Sequence, residues 1–69
     1  MIKQVAIVYE DKEPRRAFIG DACIYKAYRW SHHHFCLADE GFKLHQLPEW
    51  LSIKFYLMSE EQINSLLAE

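Results

Sequence analysis

Leu51-Ser52-Ile53-Lys54-Phe55-Tyr56-Leu57 alternates strictly, and the alternation ends at a helix signal. A period of two is the pattern of a half-buried strand, with Leu51, Ile53, Phe55 and Leu57 facing in and Ser52, Lys54 and Tyr56 facing out. Ser59 and Gln62, three residues apart, then form a capping box. Met58 and Ile63 are placed for a hydrophobic staple, and Glu60 and Glu61 suit the positive end of a helix. Ile63, Leu66 and Leu67 make an i, i+3, i+4 apolar stripe. A helix of about nine residues does not persist alone in water, so it must dock on the sheet to which the strand belongs.

Lys3 to Tyr9 reads as a second strand, apolar on both faces, with Val5, Ile7 and Tyr9 opposite Ala6 and Val8. The polar run Glu10-Asp11-Lys12-Glu13-Pro14 follows as a turn. Residues 15–30 carry conflicting signals. Pro14 suits a first helical position, and alanines and arginines favour a helix. However, Arg16, Gly20, Asp21, Lys26 and Arg29 scatter around a helical wheel, and the aromatic richness of residues 22–30 suits a strand. The balance favours strand, with Gly20-Asp21 as a turn or bulge.

His32 to His45 reads as a β-hairpin. A four-residue Ala38-Asp39-Glu40-Gly41 connection, with glycine supplying a positive φ, pairs Leu37 with Phe42 and Phe35 with Leu44. A one-residue slip would scatter these four apolar side chains, so the register follows from them. The opposite face then carries His32, His34 and Cys36 beside Lys43, His45 and Leu47. Pro48 ends the second strand.

The expected fold is therefore α+β, an antiparallel sheet of four to six strands with the C-terminal helix packed on one face. A helical 15–30 would give the order β-α-β-β-β-α instead. The chain has 69 residues, too few to close two cores, which makes residues 1–69 one domain. A core this small supplies about 3–5 kcal/mol. With 14% aromatic residues to bury, a second copy or another partner becomes a natural source of stability.

Two cysteines are too few for a secreted disulfide scaffold, and no apolar run is long enough for a membrane span or signal peptide. The expectation is a cytoplasmic protein with reduced thiols. Net charge is −2, which gives no general attraction to phosphate backbones. Residues 1–31 hold six basic and four acidic side chains and residues 32–69 hold two and six, an asymmetry suited to steered or self-complementary association.

Three readings of function follow. Tyr25, Tyr28, Arg29 and Trp30 belong to the residue types that dominate protein-interface hot spots, which points to a small non-enzymatic interaction module. Such a module modulates or inhibits a larger protein, as small proteins of phages and mobile elements do, and the expected partners are a protein and a second copy. The second reading is zinc, held by His32, His34, Cys36 and His45 if the hairpin register places them together, since imidazole and thiolate are its preferred ligands. No established zinc spacing is present, and a polar strand face is the plainer explanation. The third reading is single-stranded nucleic acid on the aromatic-basic segment, which the net charge disfavours. Cys36 beside His34 or His45 resembles a nucleophile and base, but no oxyanion hole or orienting third group accompanies them, so no enzymatic activity is expected. Cys23, between Ala22 and Ile24, reads as a small core residue.

Overall fold

The computed structural model describes residues 2–67, with side chains described as far as Ser65. Its element order is β1 (Ile2–Glu10), β2 (Glu13–Ile19), α1 (Cys23–His34), a short 3-10 helix (Leu37–Glu40), β3 (Leu51–Ser59) and α2 (Glu60–Leu67). The sheet is antiparallel with order β2-β1-β3. It has three strands rather than the four to six expected.

β1 is central because both of its faces are apolar. Val5, Ala6, Ile7 and Val8 are all fully buried. Directly paired residues of an antiparallel sheet share a face. One face therefore holds Ala6, Val8, Phe18, Ile53 and Phe55, and the other holds Val5, Ile7, Ala17 and Tyr56. α1 and the 3-10 helix cover the first through Cys23, Ala27 and Leu37. α2 meets the second through Ile63, which packs with Val5 and Ile7. The side chains of Leu66 and Leu67, the rest of the anticipated stripe, lie outside the described residues.

β1 and β2 are joined by the two-residue turn Asp11-Lys12, with φ of 50° and 72° and Glu10 paired with Glu13. Positive φ at both positions is the I′ geometry that matches the right-handed twist of a hairpin. The register shifts between Val8 and Tyr9, leaving Arg15 as an extra residue in β2. The capping box is formed as anticipated: Ser59 N–H donates to Gln62 Oε1 at 2.9 Å, and Gln62 N–H to Ser59 Oγ at 3.3 Å. Lys3 Nζ lies 2.6 Å from Glu60 Oε1, tying β1 to the start of α2. The hydrogen bond and charge of Lys3 hold the Glu60 carboxyl below its usual range.

On β3, Phe55 and Leu57 are exposed rather than facing in, and Tyr56, expected to face out, packs with Val5, Ile7 and Ile63 because α2 meets that face of the sheet. Two further expectations are corrected. The first concerns residues 15–30, which divide. Glu13–Ile19 is strand, but Cys23–His34 is helix rather than strand. With the helix starting at Cys23, its inner stripe is Cys23, Ala27 and Ser31, all buried, at i, i+4 and i+8. Small side chains let α1 approach the sheet closely, and Ser31 Oγ satisfies itself on the Ala27 carbonyl at 2.8 Å. Helical wheels drawn from residue 15 hide this stripe because they include β2.

The second correction is the hairpin, which does not form. His32–His34 is the last turn of α1, Phe35 caps it, and Cys36 takes a left-handed conformation at φ 56°. Leu37–Glu40 turns as a 3-10 helix, closed by Gly41 at φ 85°. Phe42 N–H does donate to the Leu37 carbonyl at 3.3 Å, but this closes a turn and not a ladder. Leu37, Phe35, Phe42 and Leu47 reach the core from a compact coil, so their burial needed no strand pairing. Leu44, the proposed partner of Phe35, is 39% exposed.

A pH-dependent contact sits on the α2 side of the sheet. Tyr9 Oη and Tyr56 Oη are 3.1 Å apart, and Lys54 Nζ lies 5.5 Å from the centre of the Tyr9 ring. Burial, then the hydrogen bond and charge of Tyr56, push the Tyr9 phenol from 10.0 up to about 12. A raised phenol favours the neutral form in the folded state, so its contribution is complete below pH 10 and is lost as pH rises through about 12. The melting midpoint is expected to fall across that window, and ultraviolet titration should show one of the four tyrosines ionising late. Four tyrosines titrating together near the ordinary value would contradict the contact.

Candidate functional site

Six residues of α1 and its N-terminal approach, Ala22, Tyr25, Lys26, Arg29, Trp30 and His33, line a shallow groove of about 460 Å³. Their spacing of three, four, seven, eight and eleven residues from Ala22 is one face of a helix. The face turns away from the buried stripe of Cys23, Ala27 and Ser31. Arg29 and His33 also border a second hollow of about 340 Å³ with His32, Ala38, Phe42 and Leu44. No carboxylate lines either one.

Trp30 is held in place from several sides. Trp30 stacks on His34 at 4.5 Å with the rings 13° from parallel, and it meets the edge of Phe35 at 5.8 Å and Phe18 at 6.0 Å. Phe35 continues the contact to Trp50 at 5.3 Å. The Arg16 guanidinium from β2 lies 5.0 Å from the Phe18 ring and 5.5 Å from Trp30. Arg29 lies 5.8 Å from the ring of Tyr25, which is 53% exposed. An indole packed among His34, Phe35 and Phe18, with one guanidinium over it, is a prepared surface: its neighbours restrict its rotamers, so little conformational entropy is lost on binding.

Of the four residues expected at a partner surface, Tyr25, Arg29 and Trp30 come together on this face, and Tyr28 does not line it. Arg16 and His33 were missed. His33 is legible once residues 22–33 are read as one helix, through its spacing from Tyr25, Lys26, Arg29 and Trp30. Arg16 reaches Trp30 only through tertiary packing and leaves no sequence signal.

The anticipated zinc ligands are dispersed. His32 and His34 are two positions apart on a helix, which points them to nearly opposite sides. His32 is buried, and its Nε2 has no hydrogen-bond partner among the described residues. His34 is exposed and stacked on Trp30, Cys36 is an exposed free thiol beyond the helix end, and His45 lies on the exposed connection to β3. Among the described residues no three His, Cys, Asp or Glu side chains are grouped to hold a metal ion. The hairpin that was to bring them together is absent, because helix geometry replaces its alternation at His32–His34. His34 also meets Phe35 edge-on at 4.8 Å, a contact that the hairpin register forbade.

No helix among the described residues is long and apolar enough to cross a membrane. No protein-family model, curated protein or solved structure matches the chain.

Proposed function

We propose that this protein is a small non-enzymatic interaction module that docks on an acidic, aromatic-bearing segment of a partner protein through the exposed face of α1. By occupying that segment it modulates or inhibits the partner. The observation that carries the reading is the lining of the groove: two aromatic rings, two permanent cations and a histidine, with no carboxylate among them. Tyrosine, tryptophan and arginine concentrate binding energy at interfaces, and a cationic rim selects acidic partners. Arg29 borders both hollows, so its planar guanidinium can grip a carboxylate while neighbouring side chains settle on Tyr25 and Phe42.

A short fluorescein-labelled peptide of alternating glutamate and phenylalanine is a direct probe. Anisotropy should report saturable binding, weakened about fivefold or more by Arg29→Ala and again by Tyr25→Ala, given hot-spot effects above ~1 kcal/mol per residue. Both side chains are exposed, so the fold is retained. Unchanged affinity in the two variants would overturn the reading. So would tighter, salt-sensitive binding of a single-stranded oligonucleotide lost in the same variants, which would assign the face to nucleic acid.

A further inference from the structure

The two edges of the sheet are not alike. β2 carries Pro14, which has no N–H, an extra residue at Arg15 and two successive arginines, all devices that discourage strand addition. β3 carries none of these along nine residues, and Lys54 is its one charge. Its outer peptide groups can be identified. Gly20 N–H donates to the Gln4 carbonyl at 2.9 Å, so the peptide groups of Gln4 face β2. Leu57, paired with Gln4, therefore turns its N–H and C=O away from β1, and by the two-residue repeat so do Phe55 and Ile53. Among the described residues these outward groups have no partner beyond the sheet.

The side chains at the same positions are apolar and only half covered. α1 covers the end of the face at Leu51, which is 3% exposed, but leaves Phe55 at 46%, Leu57 at 63% and Ile2 at 62%. We propose that the free edge of β3 pairs with β3 of a second copy, antiparallel about a two-fold axis at Phe55. The two sheets then join as β2-β1-β3-β3-β1-β2.

The occupant follows from self-complementarity. A two-fold axis at Phe55 sets Ile53 opposite Leu57 of the second copy and Phe55 opposite itself, so every outward peptide group of Ile53, Phe55 and Leu57 gains a bond. The strand from Leu51 to Ser59 is centred on Phe55, so this register pairs its full length. Lys54 falls opposite Tyr56, whereas an axis one residue earlier would set Lys54 against Lys54, a like-charge pair. The same operation lays the helix-covered end of one strand beside the bare end of the other, so the exposed Leu57 gains an apolar neighbour. The dimer is independent of partner binding at α1, whose groove no β3 residue lines and whose Trp30 packs on β2, the opposite edge of the sheet.

Sedimentation tests it. The apparent mass of the wild type should climb from 8.3 kDa toward twice that value between low and high micromolar concentration. Phe55→Lys and Phe55→Glu should each stay at 8.3 kDa and dimerise when mixed, because opposite charges then meet across the axis. Should these variants unfold, Phe55→Cys in a Cys36→Ser background decides the matter. Paired residues at this register have Cα atoms about 5.5 Å apart, within disulfide reach. Mild oxidation should then give a covalent dimer, whereas Ser52→Cys in the same background should give none. A wild type that stays at 8.3 kDa at high micromolar concentration, or equal cross-linking at both positions, overturns the proposal.

Discussion

Leu37→Ala is expected to abolish or nearly abolish cooperative folding. Leu37 is fully buried, packed in one cluster with Ala6, Val8, Cys23, Ala27 and Leu51. It is the residue through which the connection between α1 and β3 seals the sheet face. Removing its branched end costs about 2–5 kcal/mol when the cavity cannot collapse. A core of this size supplies only about 3–5 kcal/mol in total, so the substitution removes most of the margin. Leu44→Ala is the control. The alternating pattern makes Leu37 and Leu44 equal members of one hairpin face, but in the structure Leu44 is 39% exposed, and its truncation should cost no more than about 0.5 kcal/mol. Urea unfolding followed by circular dichroism separates the cases. Equal losses at the two leucines would restore the hairpin, and a wild-type midpoint for Leu37→Ala would remove Leu37 from the core.

Cys36→Gly and Lys12→Gly should each raise stability. Both residues hold left-handed backbone, at φ 56° and 72°, where Cβ crowds the following carbonyl. Cys36 sits just beyond the cap of α1, the position at which helices most often use glycine. Glycine relieves the crowding but gives up more freedom on folding, leaving a net gain of about 1 kcal/mol at each site. For a domain of this length that is roughly 4–8 °C in melting temperature. Both side chains are exposed, so no packing is lost. The reverse change, Gly41→Ala at φ 85°, meets no atom within 4 Å and should lose about 1 kcal/mol through backbone conformation alone. A lower melting temperature in Cys36→Gly would show that the thiol or its Cβ makes a contact the helix end depends on.

Where function is concerned, the groove on α1 and the open edge of β3 make separate demands on the chain. The first uses side chains along one helix face, of which Trp30 is held by an aromatic cluster, and the second uses peptide groups that one sheet leaves unpaired. Arg29→Ala should leave dimerisation intact, and Phe55→Lys should leave peptide binding intact.

Local chemistry alone carried several elements. β1 was legible because Val5 to Val8 are apolar on both faces, which only a central strand buries. β3 and the start of α2 were legible because strict alternation and the pairing of Ser59 with Gln62 act over a few residues. Gly41 was legible as a positive-φ position. What the sequence left open depended on which surfaces meet. The inner stripe of α1 is Cys23, Ala27 and Ser31, residues too small and mixed in polarity to register as hydrophobic periodicity. They are buried because a sheet face is close enough to exclude water. The alternation from Phe35 to Leu44 suited a strand equally well, and the left-handed turn at Cys36 with the 3-10 helix after it won because this path delivers Leu37 into the core. That choice separated His32, His34, Cys36 and His45. It also set Trp30 beside Arg16, a neighbour distant in sequence. The alternation located β3, but its inward side held only at Leu51 and Ile53. Tertiary packing decided that α1 covers that end and leaves Phe55 and Leu57 bare, because one short helix cannot span a nine-residue strand face, while Tyr56 packs with Val5, Ile7 and Ile63 on the face that α2 meets.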